Sequence, residues 1–387
     1  MKKLLIEPAS RIEGLDEYYF SAKLREIREM NASGTPVINL GIGSPDLPPD
    51  PSVVETLHAE ASKGDVHGYQ SYQGIPELRN AFAGWYRRFY GVELDAAHEI
   101  LPLFGSKEGL MHIAMSFLGP GDEALVPDPG YPAYSAVARL AGARIKTYPL
   151  LPENGWLPDL NFIELMGLHR AKVMFVNYPH MPTGRRAHEK LFQDLVAFGR
   201  YHKILIVNDN PYSFILNDHP ISILGVEGAL ETAMELNSLS KSHNMAGWRI
   251  GMVAGKKEYL DYLIRFKSQM DSGMFRPMQM AAARALESGP EWYDSVNQIY
   301  RERKNKIHTL MDLLGATYDP DQSGLFVWAR IPETEESGRD LSERILHKSR
   351  VFITPGFIFG PQGDRYIRAS LCQPVEIIDQ AIERIKL

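Results

Sequence analysis

Apolar positions along the chain follow two periods. Near the start, Tyr19, Phe20, Leu24 and Ile27 recur at helical spacing with lysine and arginine between them. This predicts an amphipathic helix over Tyr18–Met30, stopped by Gly34. Val37–Leu40 reads as a short strand. Ser52 and Glu55 suggest a capping box for the next helix. Leu78, Ala81, Phe82, Trp85 and Phe89 mark the buried face of another, with Pro76 in its first turn. The pattern then alternates. Strands at Ala124–Val126, Arg144–Leu150, Lys172–Val176, Ile204–Val207 and Met234–Leu236, several of them continuously apolar, are interleaved with helices at Tyr134–Leu140 and His188–Tyr201. Unbroken apolar strands between helices imply an α/β fold with a mostly parallel sheet covered on both faces. A long polar helix, Trp292–Leu314, leaves that sheet. Gly324–Ala329, Val351–Thr354 and Tyr366–Leu371 read as strands of a smaller α+β unit. The expected division is a large unit, 46–290, and a small one built from 1–45 and 291–387.

A chain of 387 residues has room for that core, and its net charge of -6 argues against nucleic acid as a main partner. One cysteine, Cys372, excludes an internal disulfide and suits a reducing cytoplasm. The first residues carry too short an apolar run for a signal peptide, and no apolar run approaches a membrane span. Twelve histidines are scattered without metal-ligand spacing.

Chemistry gathers around Ser238-Leu239-Ser240-Lys241 and the arginine that follows, Arg249, before Gly251. A lysine can condense with an aldehyde. An arginine fork and neighbouring hydroxyls can grip a phosphate. Together they describe a site for pyridoxal 5'-phosphate (PLP). Gly105-Ser106-Lys107-Glu108-Gly109 enters an apolar helix, and free N–H groups there would seat a phosphate, although an ordinary serine N-cap reads the same way. Asp209 can keep a pyridine nitrogen protonated, Tyr212 can donate to a phenolate oxygen, and Tyr131 can stack on the ring. Arg368 can clamp a substrate carboxylate. Each residue alone also has a plain reading as a turn aspartate, a solvated lysine or a strand arginine. What outweighs it is position. Ser106, Tyr131, Asp209, Tyr212 and Lys241 all follow predicted strand ends, where such sheets bind ligands.

These stretches, with Gly68–Arg79, Pro129-Gly130-Tyr131-Pro132, Pro182-Thr183-Gly184 and Ile367-Arg368-Ala369-Ser370, resemble the class I/II aminotransferases of the fold type I PLP superfamily. The similarity runs from about residue 15 to the end and is closest to the aspartate, alanine and diaminopimelate branch. The resemblance implies a Lys241 Schiff base, with Asp209 on the pyridine nitrogen, Tyr212 on the phenolate oxygen and Tyr131 on the ring. It assigns the phosphate to Ser106, the Lys107 backbone, Ser238, Ser240 and Arg249, and the substrate carboxylate to Gly43 and Arg368. Tyr69 would reach the phosphate of a neighbouring subunit, which implies a homodimer with shared sites. The substrates would be an L-amino acid and a 2-oxo acid in a ping-pong reaction. One position departs from the family. Met181 stands where an asparagine usually bonds the phenolate oxygen, and a thioether cannot donate. That leaves Tyr212, unless His180 or a water substitutes. Two alternatives share the scaffold: a β-eliminating C–S lyase, and a protein that keeps PLP without turnover. A dicarboxylate substrate would need a second cation, for which Arg276 and Arg11 are candidates. Tyr18, Tyr19 and Ile42 are candidate pocket residues, and Met274 and Phe275 would suit an apolar substrate.

Overall fold

The computed structural model describes residues 5–12, 15, 17, 19–34 and 36–386. Its strands, in chain order, are β1 (Ile38–Asn39), β2 (Ile100–Leu103), β3 (Glu123–Asp128), β4 (Arg144–Pro149), β5 (Ala171–Val176), β6 (Leu205–Asp209), β7 (Ala233–Ser238), β8 (Gly251–Ala254), β9 (Thr317–Tyr318), β10 (Phe326–Arg330), β11 (Val351–Phe352), β12 (Thr354–Pro355) and β13 (Tyr366–Ser370). Seven of them form the central sheet in the order β2-β8-β7-β6-β5-β3-β4. From β7 to β4 every neighbour is parallel. β3, β5, β6 and β7 are nearly continuous runs of buried residues, as a sheet covered on both faces requires. Separate apolar clusters pack on its two faces.

β8, which the sequence pattern did not announce, is antiparallel to both β2 and β7. The chain leaves β7 at Ser238 and enters β8 at Gly251. That return carries only two short helical turns, Leu239–Ser242 and Ala246–Trp248, and no crossover helix, so the strand comes back antiparallel.

A four-stranded antiparallel sheet, β12-β13-β10-β9, and the parallel pair β1-β11 form the second body of structure. Val351–Thr354 is therefore not one strand, as the apolar run suggested. It divides at Ile353, and its halves pair with β1 and β13 respectively. Gly41 makes the division fit: a Cβ there would lie 2.3 Å from the Phe352 ring and 2.7 Å from Thr354 Oγ1. The Thr354 hydroxyl donates instead to the Gly41 carbonyl at 2.9 Å. The long helix Pro290–Leu313 ties this body to the start of the chain. Buried Arg303 on it grips Asp46 with two bonds, 2.6 and 2.8 Å, and donates to Leu371 O at 3.0 Å.

The helix Pro51–Ala61 is capped by Asp50, whose carboxylate accepts from Ser52 N at 2.9 Å. The Ser52/Glu55 box does not form, because Pro51 takes the first helical position and fixes the cap one residue before it. Among the described residues no helix is long and apolar enough to cross a membrane.

Candidate active site

A cavity of about 580 Å³ opens past the carboxyl ends of β6 and β7. Ser238 ends β7, and its hydroxyl caps the following turn by accepting from Ser240 N at 3.1 Å. That turn carries Lys241 to the cavity, where Nζ donates to the Gly43 carbonyl at 2.5 Å. Burial pushes the lysine pKa down, and the positive charges of Arg368 and Arg249 push the same way. Only glycine fits at position 43, since a Cβ on it would lie 2.1 Å from the Phe326 ring.

Arg249 sits in the left-handed region, with φ 56. Its guanidinium donates to Ala246 O at 3.0 Å and contacts Ser240 Oγ at 3.4 Å. It lies so close to Gly105, at φ +86, that a Cβ there would be 2.3 Å from Nη2. Gly105 caps the helix Ser106–Phe117 with no side-chain bond. Ser106 is thus the first helical residue rather than an N-cap, and the first N–H groups of the helix face the cavity beside Arg249. The Lys107 ammonium is held below its ordinary range by burial and by Arg249.

Asp209 ends β6 and is buried. Tyr134 donates to its Oδ2 at 3.0 Å, while its Oδ1 is buried with no hydrogen-bond partner among the described residues. Burial raises the carboxyl pKa to about 7, and the Tyr134 bond opposes that rise. Asn177 braces the strand end behind it, donating to the Asp209 carbonyl and accepting from Met181 N at 2.7 Å. Tyr131 lines the cavity edge-on to Tyr134, ring centres 5.6 Å apart. Tyr212 lines it too, 6.0 Å from the Phe326 ring.

Arg368, on β13, forms the opposite wall. It lies 3.7 Å over the Phe326 ring, and Nη2 donates to Gly41 O at 2.8 Å. Its Nη1 meets the sulfur of Met181 at 3.2 Å. Met181 therefore occupies the cavity wall and offers no donor there. His180 does not replace one. Its Nδ1 is bonded to Thr183 Oγ1 at 2.9 Å, it does not line the cavity, and burial depresses its pKa to about 3.

Most of the expected residues converge: Gly43, Ser106, Lys107, Tyr131, Met181, Asp209, Tyr212, Ser238, Ser240, Lys241, Arg249 and Arg368 all line the one cavity. Tyr69 does not; it is 93% exposed in this chain. Ile42 lines the cavity, whereas Tyr19, Met274 and Phe275 do not. Tyr18 lies outside the described residues. Neither proposed second cation lines this chain's cavity: Arg276 pairs with Glu77 at 3.2 Å, and Arg11 is exposed on a separate turn. Two contributors went unread. Tyr134 follows Tyr131 by one helical turn, and Asn177 follows the end of β5, so both carried positional signals.

PLP fits these residues. The partnerless buried oxygen of Asp209 suits the protonated ring nitrogen, and the glycine cradle between Arg249 and the Ser106 helix suits the phosphate. Bound there, PLP supplies an electron sink for charge released at a substrate Cα.

The fold and this site define a PLP-dependent aminotransferase of fold type I. The chain belongs to the family described as aminotransferase class I and II, whose profile matches residues 35–385. It is 40% identical over 379 residues to an LL-diaminopimelate aminotransferase of Dehalococcoides mccartyi, covering 97% of each chain. The same enzyme of Moorella thermoacetica is 40% identical over 383 residues, 98% of each. Among solved structures, substrate-bound BacF from Bacillus subtilis superposes with a TM-score of 0.94 at 37% identity, covering 99% of this chain and 98% of that one. A Thermus thermophilus protein described as a probable N-succinyldiaminopimelate aminotransferase gives 0.88 at 32%, covering 95% and 99%. The lyase alternative finds no support among these relatives.

Proposed function

We propose that this aminotransferase takes the amino group of LL-diaminopimelate and passes it to a 2-oxo acid. The observation that carries the site assignment is one cavity in which Lys241 and the partnerless carboxylate oxygen of Asp209 face Arg368. The donor identity is supported by the names of relatives 40% identical over nearly the whole chain.

In this reading Arg368 binds the donor's α-carboxylate with its planar fork and fixes Cα over Lys241. Lys241, its pKa lowered by burial, is the group that takes the Cα proton and later returns it. Asp209 holds a proton on the ring nitrogen, and Tyr134 keeps that carboxylate in place. Tyr212 donates to the ring oxygen, and Tyr131 covers the ring face. Ser106, the Lys107 backbone, Ser238, Ser240 and Arg249 hold the phosphate. Tyr69, exposed here, serves the neighbouring subunit of a homodimer in which both sites are shared. Residues 46–290 act as the unit that binds the cofactor, with 1–45 and 291–387 as the unit that carries Arg368. The lone buried cysteine suits a cytoplasmic enzyme.

The test is the visible spectrum of the PLP-loaded protein mixed with single amino acids and no oxo acid. Conversion to the pyridoxamine form by LL-diaminopimelate, at lower concentration than by aspartate or alanine, supports the reading. No response to LL-diaminopimelate alongside conversion by another donor overturns the donor assignment.

A further inference from the structure

The residues lining the cavity include five cations, Arg28, Lys107, Lys241, Arg249 and Arg368, against one carboxylate, Asp209. Lys241, Arg249 and Arg368 have work in the site as read above, and Lys107 serves there through its backbone. Arg28 has no such role. It stands on the helix Tyr19–Ala32, whose Phe20, Ser21 and Leu24 also face the cavity. Positions 21, 24 and 28 share one side of a helix, since neighbours on a face lie three or four residues apart.

The other basic residues of this helix differ from Arg28. Lys23 is bound to Glu26 and Glu343, both at 2.7 Å, and Arg25 to Glu17 at 2.8 Å. Arg28 makes no hydrogen bond or ion pair among the described residues, and it is exposed at the cavity's outer end. Phe20, at the other end of the face, lies 5.6 Å from the Arg368 guanidinium. Eight residues of helix separate Phe20 from Arg28, a rise of about 12 Å. A helical side chain leans toward the N-terminus, so Arg28 leans back toward Leu24 and the cavity. Leu24 and Ile42 supply apolar wall.

We propose that Arg28 is a specificity residue that receives the distal carboxylate of a long dicarboxylic substrate while Arg368 holds the proximal one. This deepens the reading given under Proposed function and rests on its assignment of Arg368. It names a second cation from within the chain's own cavity, which neither Arg276 nor Arg11 lines. The apolar stretch between the two arginines suits a run of methylenes, so a seven-carbon diacid spans it better than a four-carbon one.

The test uses unreactive ligands and needs no turnover. Pimelate and heptanoate share seven carbons and differ by one carboxylate. Each is titrated into the PLP-loaded enzyme and followed by perturbation of the visible band. Wild type is expected to bind pimelate more tightly than heptanoate. Arg28→Gln is expected to weaken pimelate by about two- to five-fold, the usual effect of losing a solvent-exposed ion pair, and to leave heptanoate unchanged. Arg28→Lys is expected to recover part of the loss. Equal affinity for the two acids in wild type, or an equal loss of both in Arg28→Gln, overturns the proposal. If Arg28→Gln behaves as expected but LL-diaminopimelate is not a donor, Arg28 stands and only the donor assignment fails. If LL-diaminopimelate is a donor and Arg28→Gln leaves pimelate binding intact, the reverse holds.

Discussion

The guanidinium of Arg368 donates to the sulfur of Met181 across 3.2 Å. The residue assigned to the substrate carboxylate thus leans on the residue that replaces the family's usual ring-oxygen donor. Sulfur is a weak acceptor, so the contact orients the guanidinium without competing strongly with a carboxylate.

Met181→Asn restores a side chain able to donate to the ring oxygen. A bond to a charged oxygen is worth about 1.5–3 kcal/mol, or about one to two pH units. It favours the deprotonated form of the PLP-bound site. The pH midpoint of the visible band is expected to fall by at least about one unit in the variant. A spectrophotometric titration reads it, and an unchanged or raised midpoint contradicts the role given to Met181.

Asp209 makes the cofactor-free protein sensitive to pH. Its carboxyl is raised by burial from 3.8 to about 7. Between those values the folded protein keeps a proton that the unfolded chain has lost. Stability from this group is therefore fully present below the lower value, falls as pH climbs, and levels off above the higher one, a loss on the order of 4 kcal/mol. Asp209→Asn has nothing to ionise. Urea denaturation of the two cofactor-free proteins should show the variant gaining on the parent from pH 5 to pH 8. Parallel pH profiles would refute the shift.

Gly105→Ala sets a methyl 2.3 Å from Arg249 Nη2 at a backbone φ of +86. The arginine must move and the turn is strained, at a cost of about 1–3 kcal/mol. PLP affinity should fall about ten- to a hundred-fold, measured by titrating the cofactor into the stripped protein. Wild-type affinity would show that this turn does not hold the phosphate.

Tyr69→Ala and Lys241→Ala should each be weak or inactive as homodimers. Mixed after partial dissociation, they should regain activity, because one site of the hybrid combines an intact Lys241 with the partner's intact Tyr69. No recovery in a mixture shown by mass to contain hybrids would remove Tyr69 from the neighbouring site.

The alternating strands and helices were legible because buried parallel strands leave unbroken apolar runs, as in β5 and β6. Lys241 and Asp209 were legible because their chemistry is rare just past strand ends, and Arg249 because it returns eight residues later in a glycine-flanked turn. β8 was not, since its four residues are too short to carry a period. The break at Ile353 was hidden as well, because an apolar run does not say which partner each half will pair with.

By itself the sequence determined the alternation of strands and helices in the central sheet, a lysine placed as the candidate to carry the cofactor, and a residue at 181 that cannot donate. These are properties of residue type and local spacing. Only the tertiary structure decided which side chains meet. It set Tyr134 on Asp209, Arg368 on Met181, and Arg28 on the cavity while Arg276 is held by Glu77. Each meeting joins segments far apart in the chain, and a one-dimensional pattern records how residues repeat along an element but not which elements the core packs together.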